Sequence, residues 1–470
     1  MPLFSCNGAL NHILYRTGPS VIRLNQRGVG MKKIIVIGGG WSGIAAAITA
    51  RNVGAEVTLL EKTDMILGLG NVGGIMRNNG RYTAAEENIA LGADEIFALT
   101  DKLSRHVNVD FPGHKHASLY DVIKMEPAIR RLLKEKGIEV QTLARATDVV
   151  FDNASLTAKD SGAANRTLAA IRLADGRRIE GDAFVECTGS TGPMGNCQAY
   201  GNGCSMCVLR CPAFGPRVSI SQKAGTDDIR GRRKDGTFGA FSGSGKLAKE
   251  SLSEEIQTQL NETGVAVIPL PKELIRAEKL DIKVCQQYAL EDFAENIVLL
   301  DTGHAKIMTP FMPLDLLRQV PGLEDARYVD PYAGGKGNSI RYLSTAPREN
   351  TMKVKGLTNL FCGGEKSGLF VGHTEAISTG SLAGHNAARL LAGKELLELP
   401  KEIAVGDLIR YANEELAKEG GVYHRYTFAG AEFFERMKER GLYSTDPETI
   451  KRRIEALGLS GVYRERILNM

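Results

Sequence analysis

The chain has 470 residues, 43% of them apolar and 24% charged, with a formal net charge of +4. These values exclude intrinsic disorder and suit a soluble protein of more than one domain. No run of eighteen apolar residues marks a membrane span, and so small a net charge does not by itself call for nucleic acid.

Residues 1–30 carry Arg16, Arg23 and Arg27, no acid and no convincing periodicity. They read as a disordered extension, with Met31-Lys32-Lys33 as the natural start before the first strand. A short β-branched run over 34–37 predicts a buried parallel strand. Gly38, Gly40 and Gly43 follow at once in G-x-G-x-x-G spacing, opening a small-residue helix over 42–53. Gly38 permits the tight turn, Gly40 lets backbone approach a pyrophosphate, and Gly43 lets the helix press on the strand. The helix N-terminus, from Ser42, offers N–H groups and a positive dipole end to phosphates. A second strand over 56–60 ends in Glu61, placed to accept ribose hydroxyls, with Lys62 beside it.

A glycine- and asparagine-rich loop over 68–80 precedes helical patterning from about 84 to 105. His114 and His116 flank Lys115 in what reads as a loop before a helix capped by Ser118 and ending near Gly137. They are candidate general acids or holders of a substrate anion. Strands follow over 139–143 and 147–151, with Ala146 a candidate cofactor contact. Strands over 168–173 and 177–180 flank the hairpin signal Asp175-Gly176. The strand over 182–187 ends in Thr188-Gly189. The pattern returns with a strand over 359–362, then Gly363-Gly364-Glu365, a loop through Gly372 and His373, and a helix from Thr374 to about 391. Glu365 suits ribityl hydroxyls, and the helix N-terminus suits the flavin edge where negative charge develops on reduction. His373, in the turn opening that helix, is a third catalytic candidate.

Three dinucleotide elements in this order predict an α/β fold and bound FAD. A Rossmann-like FAD-binding domain of the two-dinucleotide-binding flavoprotein type (31–189 and 350–400) is split by an α+β substrate or cap domain (190–349). A helical region (401–470) follows. Cys197, Cys204, Cys207 and Cys211, in C-x6-C-x2-C-x3-C spacing with Pro212 next, leave the Thr188-Gly189 strand end. Four soft ligands in one short loop suit a [4Fe–4S] cluster. A redox-active Cys204–Cys207 pair, structural zinc and buried thiols are the alternatives. Cys187 and Cys362 end apolar strands and read as core, and Cys285 carries no signal. Arg341 and Arg348 are either carboxylate binders or solvated charges. Gly243-Ser244-Gly245-Lys246 is no phosphate loop, because Ala240 and Leu247 stand where that motif needs glycine and a hydroxyl. With no second complete G-x-G-x-x-G unit, electrons reach the flavin from a visiting nicotinamide, a substrate or the cysteine loop.

Residues 363–408, GGEKSGLFVGHTEAISTGSLAGHNAARLLAGKELLELPKEIAVGDL, resemble the C-terminal flavin segment of the glucose-inhibited division protein A superfamily. Within it they are similar to the folate-dependent tRNA uridine methyltransferase flavoproteins, and the first flavin segment matches too. The resemblance covers about half the chain and implies FAD binding. The relatives' cysteine is missing from the loop that reads Gly70-Asn71-Val72-Gly73-Gly74 here, and the four-cysteine insert is not in their pattern. The heterodisulfide reductase flavin subunit is a looser analogy for a flavin beside a cluster. The leading expectation is a cytoplasmic oxidoreductase, a homodimer acting on a small molecule. Its cluster would pass single electrons to an electron-transfer partner protein. The alternative is a tRNA-modifying flavoprotein with a structural metal loop and a basic face around Arg217, Arg230, Arg232, Arg233 and Lys234.

Overall fold

A computed structural model describes residues 32–152, 166–189, 214–238, 245–280, 286–310, 312–329 and 343–468, with short backbone strands at 15–17, 20–22, 240–241 and 340–341. Its centre is a parallel sheet. Strand β1 (Lys33–Ile37) is followed by helix α1 (Trp41–Asn52) and β2 (Glu56–Leu60). Strands β3 (Glu139–Gln141), β4 (Ala183–Glu186) and β5 (Leu360–Cys362) complete the order β5-β4-β1-β2-β3, all parallel. Ile34, Ile35 and Val36 are fully buried because both faces of the sheet are covered. That is why the strand reads as a continuous apolar run rather than an alternation.

Helix α2 (His373–Leu391) lies on α1. A Cβ added at Gly380 would stand 2.1 Å from the Ser42 carbonyl oxygen, and one at Gly384 2.1 Å from that of Ala46. The two helices therefore cross in backbone contact, which explains the small residues along both. Ile34, Val36, Ile44, Phe361 and Leu382 share the core on this face. On the opposite face Ile35, Ile37 and Phe184 pack against an antiparallel meander of Ala146–Phe151, Leu168–Leu173 and Arg178–Glu180.

Between β4 and β5 the chain builds a four-stranded antiparallel sheet from Lys246–Leu247, Ala305–Ile307, Asn296–Asp301 and Val265–Pro269, with its own core. It meets a three-stranded sheet of Ile75–Met76, His114–Tyr120 and Ser104–Phe111 through Phe111, Leu119, Phe293 and Leu300. Helices Ala404–Leu416, Ala431–Glu439 and Pro447–Ala456 form the C-terminal region. Among the described residues no helix is long and apolar enough to cross a membrane.

Four local expectations are corrected. The patterning over 84–105 is two helices, Gly80–Leu91 and Glu95–Lys102, because Gly92 takes φ +98 and stops the first. His114 and His116 lie on a strand, not in a loop, and Ser118 is paired inside it with Met76. The helix cap is Asp121, whose carboxylate accepts the N–H groups of Ile123 and Lys124 ahead of Val122–Glu135. Within the segment expected to lack structure, Tyr15–Thr17 pairs antiparallel with Ser20–Ile22.

Candidate functional site

An open cleft with about 1640 Å³ of empty space runs along the carboxyl ends of β1, β2 and β4 and the N-terminus of α2. That is where ligands of parallel α/β sheets bind.

At one end the glycine turn divides its labour. Gly38 has φ +103, and a Cβ there would stand 2.3 Å from the Cys187 carbonyl oxygen. A Cβ at Gly43 would fall 1.8 Å from the Gly38 oxygen, so this glycine seats the helix and does not line the cleft. At Gly40 a Cβ would meet nothing within 4 Å. That position faces open cleft, as close approach of a pyrophosphate requires. Glu61 is fixed at the strand end by accepting the Gly39 and Thr63 N–H groups, each at 2.9 Å. Each carboxylate oxygen keeps a lone pair for a hydroxyl. These residues fit a dinucleotide.

At the other end Gly372 and His373 open α2 into the cleft. Glu375, in the first turn, pairs with buried Arg81, whose Nε lies 3.1 Å from both carboxylate oxygens. The His373 ring stands over Gly73, where a Cβ would meet its Cε1 at 1.8 Å. Its Nδ1 is 3.4 Å from the Tyr120 hydroxyl, which donates to the Gly70 carbonyl at 2.6 Å. Burial pushes the Tyr120 pKa upward, keeping that hydroxyl protonated. The Trp41 ring packs against both Tyr120 and His373.

Ser42, Lys62, Ala146, Thr188, Gly189, Gly364 and Glu365 also line the cleft. Thr374 does not; it is fully buried, with Oγ1 against the Met76 sulfur. His114 and His116 stand outside the cleft lining. His114 is buried, stacked on Phe111 and bonded to the amide nitrogens of Asn78 and Asn79 through Nδ1. Those donors make Nδ1 an acceptor, so Nε2 donates to the Gln287 carbonyl at 3.0 Å. His116 bonds to Asn108 on its own hairpin. Among the described residues Arg348 binds no carboxylate; it is buried, donating to the carbonyls of Ser367, Glu349 and Ile409.

Cys197, Cys204, Cys207 and Cys211 lie outside the described residues, as does Cys285. Among the described residues no three His, Cys, Asp or Glu side chains gather as metal ligands. The residues flanking the four-cysteine segment meet at the rim, since a Cβ at Gly189 would lie 3.1 Å from the Arg217 guanidinium, and both line the cleft. Cys187 and Cys362 are core residues as expected; burial pushes the Cys187 thiol up to about 12.

Sequence reasoning missed Trp41, Arg81, Arg145, Gln287, Tyr288 and Lys306 in the lining. Trp41, at the mouth of the glycine motif, was in plain view. The others arrive from segments far apart in the chain.

A family model described as glucose inhibited division protein A matches residues 33–289 and 291–395. The methylenetetrahydrofolate–tRNA-(uracil-5-)-methyltransferase TrmFO of Streptococcus sanguinis is 36% identical over 104 residues, 22% of this chain and 22% of that protein. The tRNA uridine 5-carboxymethylaminomethyl modification enzyme MnmG of Chlorobaculum tepidum is 35% identical over 106 residues, 21% of this chain and 16% of that protein. The aligned stretches thus span about a fifth of these curated relatives. The structure of Aquifex aeolicus GidA in its form II crystal aligns with a TM-score of 0.59 at 17% identity, covering 92% of this chain and 77% of that one. At that identity the likeness shows the fold, a Rossmann-like flavoprotein fold.

Proposed function

The chain belongs to the glucose inhibited division protein A family, and from that premise we propose an FAD-dependent enzyme that modifies a base of tRNA. The observation that carries this reading is the cleft itself: glycine turn, strand-end acid and helix N-terminus along one trough. Gly38, Gly40, Ser42 and Glu61 would hold the adenosine and pyrophosphate end, and Gly364, Glu365 and Gly372 the flavin end. When bound, FAD supplies hydride and electron chemistry that no side chain offers. The N–H groups opening α2 favour negative charge at their end. His373, oriented by Tyr120 and seated on Gly73, is the group that would hold or move a proton there. The relatives named for tRNA modification support the substrate class. Purified protein should carry stoichiometric FAD and retain tRNA in a salt-dependent manner. FAD without tRNA retention would leave the cofactor reading and remove the substrate.

One observation favours a second reading, an oxidoreductase with a [4Fe–4S] cluster. The segment holding the four cysteines leaves and re-enters the fold at the cleft rim, beside Thr188 and Arg217. Such a cluster would exchange single electrons with the flavin and a partner protein. Anaerobic purification with iron and sulfide analysis decides it. About four irons per chain support the cluster; one zinc, or four free thiols in active protein, sinks it.

A further inference from the structure

The basic face expected around Arg217 divides in the fold. Arg217 lines the cleft, while Arg230, Arg232, Arg233 and Lys234 belong to a turn outside its lining. The turn is closely held. The Gly236 N–H donates to the Arg233 carbonyl at 2.8 Å, and the Arg233 N–H to the Thr237 carbonyl at 2.9 Å. Gly236 takes φ +79, a conformation that favours glycine. The Arg232 N–H donates to the Val422 carbonyl at 2.8 Å, and buried Arg425 donates to the Arg232 carbonyl at 2.9 Å. The backbone that presents Arg232 is therefore fixed from both sides. Two acids of the segment are already engaged. Asp228 bonds to Lys366, and Asp235 accepts the Thr237 N–H and hydroxyl beside Arg233. Arg232 and Lys234 are exposed and form no ion pair among the described residues. The guanidinium carbons of Arg230 and Arg232 stand 5.8 and 4.7 Å from the centre of the Phe238 ring. One ring thus gathers two like charges, a repulsion that a bound anion relieves.

We propose that this turn is a docking surface for RNA outside the cleft. Phosphate oxygens meet Arg232 and Lys234, and an unpaired base stacks on the Arg232–Phe238 pair. Rigid cations beside an aromatic ring suit a single-stranded loop, whose backbone and bases are both accessible. A lipid surface is a poor match, because no large apolar side chain over 214–238 is exposed for insertion. The same segment begins at the cleft rim with Arg217 and is moored through Asp228 to Lys366, next to Glu365 in the lining. An RNA whose target base enters the cleft would meet the turn with a neighbouring loop. The class of partner rests on the tRNA reading; the location of the contact does not.

Filter retention of an unmodified tRNA transcript by the flavin-loaded full chain, measured across salt concentrations, tests the assignment. Poly-L-glutamate serves as the acidic-protein comparison. Arg232→Ala should weaken tRNA binding about three- to tenfold and flatten the log–log salt slope by roughly 0.7–0.9, one phosphate contact. Arg232→Lys should keep the slope yet bind more weakly, because it keeps the charge and loses the stacking plane. Arg232→Glu with Lys234→Glu should weaken binding about tenfold or more. Lys451→Glu, an exposed charge on the Pro447–Ala456 helix, should leave it unchanged. Flavin content and melting temperature should match wild type in every variant, since the altered side chains are exposed. Equal losses in Lys451→Glu, or poly-L-glutamate retained as tightly as tRNA, would overturn the proposal. Wild type that retains tRNA while the double variant retains it equally would remove this surface and leave the tRNA reading standing. Wild type that retains no tRNA would remove both.

Discussion

Gly40 and Gly43 sit three residues apart and should fail in opposite ways. A Cβ at Gly40 meets nothing, so Gly40→Asp should fold with the melting temperature of flavin-free wild type yet bind no FAD, its carboxylate repelling the pyrophosphate. Protein that keeps stoichiometric flavin after this change would refute the cofactor assignment. Gly43→Ala drives a methyl into the Gly38 oxygen, and overpacking of this kind typically costs about 1–3 kcal/mol. It should lower the urea midpoint whether or not flavin is present. His373→Gln should leave flavin content intact and cut turnover about 10²–10⁴-fold, the usual worth of a positioned acid or base. An unchanged pH–rate profile in that variant would show that the imidazole only packs.

At the scale of elements, two buried groups give the fold opposite pH slopes. His385 on α2 is fully buried, with neither ring nitrogen bonded among the described residues, and burial pushes its pKa down to about 3. A base depressed on folding lends stability that is whole above its unfolded value, 6.5, and is lost as pH falls. The loss should be about 2 kcal/mol between pH 8 and pH 5. Glu87 is fully buried, and its carboxyl accepts the N–H groups of Ala404 and Val405 at the start of the Ala404–Leu416 helix. Desolvation pushes its pKa up to about 7. An acid raised on folding gives stability that is whole below 4.5 and lost as pH climbs through about 7, here about 1 kcal/mol between pH 6 and pH 8. Urea midpoints across pH should lose the acid-side slope in His385→Leu and the alkaline slope in Glu87→Gln. A third device moors the segment re-entering after the cysteines: the Lys366 ammonium bonds Asp228 at 2.5 Å and Ser219 at 2.8 Å, and Glu186 accepts the Ile220 and Ser221 N–H groups. Lys366→Met should cost about 3–5 kcal/mol, the penalty of stranding a buried carboxylate. A loss below about 1 kcal/mol would show that water reaches Asp228. Elements with strong local codes were legible: Glu56–Leu60 and Leu168–Leu173 match the expected bounds, since β-branched runs and an Asp-Gly turn carry their own instructions. The His114–Tyr120 strand was not, because its conformation is imposed by Ser104–Phe111 beside it.

For the whole molecule, the same distinction separates the two ends of the cleft. At the Glu61 end, Gly38, Gly40 and Glu61 fall within 24 consecutive residues, so spacing alone disclosed them. The His373 end gathers Gly73, Arg81, Gln287, Lys306 and His373 from across the chain, and only folding brings them together. No periodicity records such a meeting. The contact of Gly380 with Ser42 also governs how the protein must be born. Helix α1 leaves the ribosome long before its partner, because more than three hundred residues separate Ser42 from Gly380. At ~5–20 residues per second that interval is about 15–70 s, through which β1 and α1 wait with an uncovered apolar face. Nascent chains released before α2 should therefore be captured by chaperones or aggregate, and cofactor loading should be a late, single event. The fold is completed by its last third.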